Sequence, residues 1–280
     1  MNYAKMFRVE HGAKVDLKKI DPGFHDRNEN KASSLKKLEK LSRRLRDLQF
    51  HLYAEDRRSV LICLQALDAA GKDGTIRHAF GAFNPQGTRV WGFKAPTPEE
   101  LSHDFLWRIE RRAPAKGEIA VFNRSHYEDV LVARVHDLVP KEVWSKRYDL
   151  INDFEERLAQ NGTHVIKFFL HISPEEQLAR FHDRLDDPSR HWKISESDYS
   201  ERKLWPRYTA AYEEALSKTS KKHAPWYVVP ANHKWFRNIA VAEIVADTLE
   251  AMKMKLPAPH VDIEDIRRKY HQAQLARKKL

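Results

Sequence analysis

Residues 59–77, with the sequence SVLICLQALDAAGKDGTIR, decide the fold of this chain. A run of apolar and β-branched residues leads into a turn of small residues, and a segment with helical spacing follows. In a P-loop, a buried strand, a phosphate-binding turn and a helix N-terminus follow one another in this order, and the backbone N–H groups bind phosphate oxygens. We therefore predict a phosphate site in which Lys72 supplies a mobile charge. The other residues of the turn that we expect to bind phosphate are Ala69, Ala70, Gly71, Asp73, Gly74 and Thr75.

The turn departs from the standard G-x-x-x-x-G-K-[ST] pattern at two positions. Ala66 replaces the first glycine, and Asp73 stands where a hydroxyl usually binds Mg²⁺. At the head of the turn, Asp68 places a carboxylate beside Lys72. Both departures argue against a generic nucleotidase. The alternative is a helix that begins with a chance Gly-Lys pair, and the well-formed strand pattern before it argues against this.

The composition indicates an anionic partner. The chain has 280 residues, enough for one large core, and its 50 Lys and Arg against 40 Asp and Glu give a net charge of +10. Nucleic acid, a membrane surface or a polyanionic small substrate would each suit this charge. Part of the excess lies in Arg267–Lys269 and Arg277–Lys279, which we interpret as a solvated helical tail.

The location of the protein is predicted from what the sequence lacks. It has no apolar run of about eighteen residues, and its N-terminus has no apolar signal segment. The single cysteine, Cys63, lies within the first strand and cannot form an intramolecular disulfide. We expect a cytoplasmic protein that does not associate with a membrane.

Strands and helices alternate along the chain. After the first strand, four more are predicted at residues 88–95, 117–122, 163–172 and 226–230, and helices at 32–55, 76–83, 97–112, 141–160 and 236–253. This alternation predicts an α/β fold with three layers, in which helices cover both faces of a five-stranded parallel sheet. We divide the chain into an N-terminal arm and amphipathic helix (residues 1–55), a core (56–257) that contains a lid at about 184–207, and a basic helical tail (258–280).

The residues that follow the third strand form a dense polar group. Ligands bind at the carboxyl ends of parallel strands, and this strand ends in the sequence NRSHYED at residues 123–129. Arg124 suits phosphate oxygens, and either Glu128 or Asp129 suits Mg²⁺. Asn123 lies at the same edge of the sheet. The alternative is a helix N-terminus that the acids stabilise.

A basic segment follows the fourth strand and its helix. Arg184, Arg190 and Lys193 stand where kinases of nucleoside monophosphates carry a mobile lid, which brings positive charge to phosphates and excludes water. A solvated basic loop is the alternative. Lys94 is a further candidate for phosphate binding, on its position after the second strand alone.

At these residues the sequence resembles the family-2 polyphosphate kinases, P-loop enzymes that move phosphate between inorganic polyphosphate and nucleotides. The resemblance rests on Asp68–Gly74, Phe93–Pro96, Phe122–Asp129 and Arg184–Lys193 and extends over about residues 30–255. The two departures from the standard P-loop are features of this family. The segment Ser125–Leu131 is similar to the corresponding segment of class III, the subgroup that phosphorylates both AMP and ADP.

The resemblance implies a thymidylate-kinase-like core with a helical lid, and Mg²⁺ or Mn²⁺ held by Asp68 and Asp129. It implies that polyphosphate lies along the P-loop and the lid cations, and that the nucleotide lies near Arg124 and Glu128. We associate the dual AMP and ADP specificity with Glu128. A homo-oligomer is also implied.

We predict a kinase that passes the terminal phosphoryl group of inorganic polyphosphate to AMP and ADP, with adenine nucleotides as partners and no nucleic acid. The residues expected to act in catalysis are Asp68, Lys72, Arg124, Asp129 and Arg184. One alternative is an ATP-dependent kinase of nucleoside monophosphates, although such enzymes normally keep the first P-loop glycine. The other is a basic nucleic-acid-binding protein on a degenerate P-loop scaffold, although no known binding module is recognisable.

Overall fold

The structure, a computed structural model, describes residues 1–277. Its five parallel strands form one sheet in the order β2-β3-β1-β4-β5. The strands are β1 (Ser59–Gln65), β2 (Thr88–Gly92), β3 (Ile119–Asn123), β4 (Thr163–His171) and β5 (Trp226–Pro230). Every residue of the central β1 is buried, as expected for a strand with neighbours on both sides and helices on both faces. The predicted α/β fold is confirmed.

Thirteen α-helices are described. They are α1 (Tyr3–Phe7), α2 (Lys31–Glu55), α3 (Lys72–Ala79), α4 (Pro98–Leu101), α5 (Trp107–Glu110), α6 (Val132–Val135), α7 (Lys141–Trp144), α8 (Arg147–Gln160), α9 (Pro174–Leu185), α10 (Glu196–Lys203), α11 (Trp205–Thr219), α12 (Lys234–Ala251) and α13 (Ile263–Arg277).

The helices form a layer on each face of the sheet. On one face α2 packs against α12, and Leu41, Leu45 and Leu52 of α2 are buried there. On the other face α8 packs against β4 and α11, and Ile151 of α8 and Tyr212 of α11 are buried in one cluster. The apolar face of the predicted amphipathic helix therefore covers the protein's own core.

Several predicted elements have different bounds in the structure. The helix expected at 97–112 is two short helices, α4 and α5, because the Asp104 carboxylate accepts a hydrogen bond from the Leu106 N–H at 2.9 Å and so begins a new turn. The helix expected at 141–160 is likewise divided, into α7 and α8. The P-loop helix α3 begins at Lys72, four residues earlier than predicted.

The beginning of the N-terminal arm belongs to the core. Tyr3 and Phe7, four residues apart on α1, are both buried, and their rings lie 5.4 and 6.0 Å from the ring of Phe236. These residues of the predicted N-terminal arm are therefore part of the core, because aromatic rings at this spacing share one face of a helix.

The last helix described, α13, lies within the segment predicted as a basic tail. All residues of α13 except Asp265 are exposed, and residues 278–280 of the predicted tail, with Lys278 and Lys279, lie outside the described residues. Within residues 1–277, no helix combines the length and the apolar character that crossing a membrane requires.

Candidate active site

The P-loop turn contains two residues with positive φ. Ala69 has a φ of 61° and Gly71 a φ of 100°. The left-handed conformation costs an alanine about 1–2 kcal/mol, whereas glycine adopts it freely. Ala69 is therefore a strained residue at the centre of the site, where such strain is often found.

Gly71 is required for a second reason, which is the position of Arg237. A Cβ at Gly71 would lie 1.9 Å from Nη1 of Arg237, and this nitrogen donates a hydrogen bond of 2.9 Å to the Ala70 carbonyl. Arg237 is buried at the start of α12, and burial together with the nearby charge of Arg180 lowers its pKa to about 9. The sequence analysis missed Arg237, which holds the P-loop turn from the neighbouring helix α12.

Lys72 lies at the first position of α3 and faces the turn. Its Nζ donates a hydrogen bond of 3.0 Å to the Ala66 carbonyl. Burial lowers the pKa of Lys72, although the charge of Asp68 acts in the opposite direction. A phosphate placed beside this ammonium would favour its charged form and would replace the Ala66 carbonyl as its partner.

Asp73 connects the P-loop to the third strand and to the lid. It accepts a hydrogen bond of 2.8 Å from the Asn123 side-chain amide, and the Lys193 Nζ lies 3.5 Å away. Burial alone would raise the pKa of Asp73, but the Asn123 hydrogen bond and the charge of Lys193 outweigh it and the pKa is lowered. The predicted lid therefore reaches the P-loop through Lys193.

A cleft of about 1030 Å³, here called the phosphate cleft, lies over the P-loop. Ten cationic side chains and three carboxylates line it, a balance that suits a polyanion. The cations are Lys72, Arg77, Lys94, Arg124, Arg180, Arg184, Arg190, Lys193, Lys234 and Arg237. Lys234 follows β5 as Lys94 follows β2, so its position after a strand could have identified it from the sequence.

A smaller cavity of about 260 Å³, here called the aromatic cavity, adjoins the cleft. Trp205, Tyr208 and Tyr212 of α11 line it together with apolar residues of the β3–α6 segment. The sequence analysis missed these rings because Tyr208 and Tyr212, four residues apart, form the stripe that any core helix shows. Burial raises the pKa of Tyr212 well above its usual value, so its hydroxyl stays protonated.

Three residues, Asp68, Arg124 and Ser197, line both cavities, and the two charged ones form a pair where the cavities meet. Arg124 has a φ of 64°, its backbone N–H donates to the Leu64 carbonyl at 3.1 Å, and its Nη2 lies 3.5 Å from the Asp68 carboxylate. Burial acts to lower the pKa of Arg124, but the charges of Glu128 and Asp68 outweigh burial and raise it. The guanidinium is therefore a permanent charge at the junction.

The structure brings Glu128, and not Asp129, to this junction. Glu128 lines the aromatic cavity, and burial raises its pKa against the opposing charges of Arg124 and Lys72. The Asp129 carboxylate accepts a hydrogen bond of 3.2 Å from Arg147 and lines neither cavity. Residues 126–129 form a 3₁₀ turn, in which neighbouring side chains point about 120° apart. In this conformation the Asp129 carboxylate is held by Arg147 and does not face the cavities that Asp68 lines, so its expected role as a metal ligand stays a prediction.

The remaining predicted residues divide into two groups. Arg184, Arg190 and Lys94 line the phosphate cleft, and Arg184 lies 3.2 Å from the Asp198 carboxylate. Ala70 and Thr75 do not line it. The Ala70 N–H donates to the Leu67 carbonyl at 3.2 Å, and the Thr75 hydroxyl donates to the Gly71 carbonyl at 3.1 Å, so both groups are used within the turn.

The donor set fits a metal ion that binds together with phosphate. Within residues 1–277, no group of three or more His, Cys, Asp or Glu side chains is placed to hold an ion by itself. Mg²⁺ commonly uses one or two carboxylates and takes its other ligands from phosphate and water. Asp68 supplies such a carboxylate, since it faces both cavities.

Comparison with known proteins agrees with this geometry. The family described as Polyphosphate kinase 2 matches residues 28–257. The chain is 50% identical over 263 residues to the AMP/ADP-polyphosphate phosphotransferase of Meiothermus ruber, covering 94% of this chain and 98% of the relative. It is 47% identical over 270 residues to the ADP-polyphosphate phosphotransferase of Rhodopseudomonas palustris, covering 90% and 92%.

Among solved structures, the crystal structure of polyphosphate kinase 2 from Arthrobacter aurescens TC1 superposes with a TM-score of 0.93 at 43% identity. The match covers 97% of each chain. The P-loop, the cationic cleft and the helical layers described above thus lie within a region shared over nearly the whole length. The chain belongs to the polyphosphate kinase 2 family.

Proposed function

We propose that this chain is an enzyme that transfers the terminal phosphoryl group of inorganic polyphosphate to AMP and ADP, forming ADP and ATP. The observation that carries the proposal is the junction of two unlike cavities at Asp68 and Arg124. The phosphate cleft, with its ten cations, suits a polyanionic donor. The aromatic cavity offers ring surfaces together with eight polar or charged residues, which suit the base and sugar of a nucleotide.

The residues at the junction can support the transfer without a general base. The phosphate of the acceptor is already ionised at neutral pH, so catalysis depends on positioning and on charge around the transferring group. Lys72 would leave the Ala66 carbonyl and bind the phosphoryl in transit, while Arg124 contacts both substrates. Arg184 and Lys193 would close over the donor and exclude water.

We propose Mg²⁺, with Mn²⁺ as a substitute, as the cofactor and Asp68 as the carboxylate that holds it. When bound, the ion would offset the negative charge on the phosphates. Asp129 could share the ion only if its carboxylate left Arg147, from which it now accepts a hydrogen bond of 3.2 Å.

The proposal is tested by incubating the protein with Mg²⁺, long-chain polyphosphate and either AMP or ADP, and following the nucleotides by chromatography. We expect ADP and then ATP from AMP. Lys72→Met should lower kcat by about 10²–10³, the usual effect of removing one preorganised charge. The exposed Lys116, which lines neither cavity, provides the matched control Lys116→Met.

Two results would replace the proposal. Turnover with ATP and AMP, but not with polyphosphate, would identify an ATP-dependent kinase of nucleoside monophosphates. Salt-dependent binding of oligonucleotides without phosphoryl transfer would identify a nucleic-acid-binding protein.

We propose in addition that the chain acts in the cytoplasm as a homo-oligomer. The buried, unpaired Cys63 supports a reducing compartment. The exposed apolar residues Ile263, Ile266 and Tyr270 of α13, which recur on one face of that helix, support contact with another chain. Light scattering at several protein concentrations would measure the oligomeric state.

A further inference from the structure

Four polar side chains, two from the loop that follows β3 and two packed against it, are completely buried. Lys167 lies on β4, Glu155 on α8, and His126 and Tyr127 in the loop itself, and all four have 0% exposure. They form what we call the buried ionic cluster. None of them lines the phosphate cleft or the aromatic cavity, so none is placed to touch a substrate.

The buried ionic cluster is closely hydrogen-bonded. One oxygen of Glu155 accepts from the Tyr127 hydroxyl at 2.9 Å and from His126 Nε2 at 3.1 Å. Lys167 donates to the other Glu155 oxygen, to the Tyr127 hydroxyl at 2.9 Å and to the Thr219 carbonyl at 2.7 Å. All three ammonium donors and both carboxylate oxygens therefore have partners.

The cluster fixes the loop between two residues of the site. Arg124 and Glu128 line the aromatic cavity, and the three residues between them are completely buried. His126 and Tyr127 are held by Glu155, and the Ser125 hydroxyl accepts hydrogen bonds from Gln65 at 3.2 Å and from the Tyr127 N–H at 3.3 Å. The direction in which Arg124 and Glu128 project is thus set by the buried residues.

The cost of burying two charges indicates that this arrangement serves more than stability. An ion pair in a protein interior is often no more stabilising than apolar side chains of the same size, because both ions lose their hydration. Buried polar groups can instead specify one conformation among several that an apolar core would allow. Here the specified conformation is that of the loop carrying Arg124 and Glu128.

We propose that Glu155 and Lys167 are positioning residues, which act through His126 and Tyr127 to hold Arg124 and Glu128 in the geometry that binds the acceptor nucleotide. The inference rests on the proposed phosphotransferase function, because it assigns the aromatic cavity to the acceptor. It predicts that the cluster affects the acceptor site more than the donor site, because Glu128 lines only the aromatic cavity whereas Arg124 lines both cavities.

The first test compares two buried tyrosines. Tyr127→Phe removes the hydroxyl that joins Lys167 to Glu155 and keeps the ring. Tyr148→Phe is the matched control, since Tyr148 is also buried, and its hydroxyl accepts from Arg134 at 3.3 Å, outside the loop. We expect Tyr127→Phe to raise the KM for AMP about tenfold, because displaced binding groups lose part of their contact with the nucleotide. The KM for polyphosphate should rise less, because only Arg124 of the two positioned residues lines the phosphate cleft. Tyr148→Phe should change neither constant.

The second test separates positioning from stability. The double variant Glu155→Leu/Lys167→Met replaces the ion pair by apolar side chains of similar size, and such replacements commonly preserve the folded state. We expect a Tm at or above that of the wild type together with a raised KM for AMP. If this variant fails to fold, the comparison of Tyr127→Phe with Tyr148→Phe decides the question.

The inference is overturned if Tyr127→Phe leaves the KM for AMP unchanged or changes both KM values alike. Binding of AMP measured by calorimetry without polyphosphate gives a readout that needs no phosphoryl transfer. Weaker AMP binding by Tyr127→Phe would support the positioning role even if the donor proved to be ATP. Failure of the wild type to use polyphosphate would instead refute the proposed function and leave the calorimetric result standing.

Discussion

The guanidinium of Arg124 lies 3.5 Å from the carboxylate of Asp68, and this pair marks the boundary between the phosphate cleft and the aromatic cavity. The two side chains come from different strands, since Asp68 follows β1 and Arg124 follows β3. They meet because the strands are parallel neighbours in the sheet. In the proposed transfer, the phosphoryl group would lie beside this pair as it moves between the cavities.

Arg124→Lys should therefore impair transfer while keeping the charge. Lysine lacks the planar fork that binds two phosphate oxygens at once, so we expect kcat to fall by about 10²–10³ in the polyphosphate and AMP assay. The control is Arg111→Lys, because Arg111 stacks on Trp107 and lines neither cavity. Equal activity of the two variants would contradict the role of Arg124.

Asp68→Asn should weaken the response to Mg²⁺. Because Asp68 faces the junction and Asp129 is bound to Arg147, we expect Asp68→Asn to raise the Mg²⁺ concentration for half-maximal activity well above that of Asp129→Asn. The measurement is a Mg²⁺ titration at fixed substrate after treatment with a chelator. A larger shift for Asp129→Asn would mean that its carboxylate leaves Arg147 when phosphates bind.

The sequence predicted the parts of the site that depend on local pattern. The apolar run of β1 and the small residues after it identify the P-loop, because a buried strand and a tight turn each have a recognisable composition. Asn123, Arg124 and Glu128 were found because ligands of a parallel sheet bind where its strands end. Lys193 was found by the charge of its segment.

The parts that depend on distant contacts could not be predicted in this way. Arg237 reaches Gly71 only because α12 packs beside α3 in the folded chain. Lys167 lies in an apolar strand, and no local pattern indicates that its partner is Glu155 on α8. The direction in which the Asp129 side chain points depends on a single turn of 3₁₀ helix. A shift of one residue within that turn would place Asp129 where Glu128 now lies.

The stability of the protein should fall in mild acid, partly because of His164. Burial, with the nearby charge of Arg58, lowers the pKa of this imidazole on β4. Below its ordinary pKa of about 6.5 the unfolded chain binds a proton that the folded chain binds only at lower pH, so the free energy of unfolding decreases as the pH drops. His164→Gln should lessen this decrease in urea denaturation between about pH 7.5 and 5. The exposed His260 gives the control His260→Gln. The hypothesis fails if the free energy of unfolding of both variants decreases with falling pH as steeply as that of the wild type.

Ala69 and Ala70 should respond in opposite ways to replacement by glycine, although they are neighbours of the same type. Ala69→Gly relieves the left-handed conformation at a φ of 61°, worth about 1–2 kcal/mol, against about 0.5–1 kcal/mol for the greater freedom of the unfolded chain. We therefore expect a rise of up to about 1.5 kcal/mol in the free energy of unfolding.

Ala70 is fully buried and has no positive φ, so Ala70→Gly gains nothing from the backbone. The variant loses a buried methyl group, worth about 0.8 kcal/mol, and glycine again gives the unfolded chain more freedom, worth about 0.5–1 kcal/mol. We therefore expect the free energy of unfolding to fall by about 1–2 kcal/mol. Urea denaturation of both variants measures the difference between them, which should be about 2 kcal/mol. If the two variants were equally destabilised, Ala69 would not be strained in solution, and the P-loop turn would adopt a different backbone conformation in the free protein.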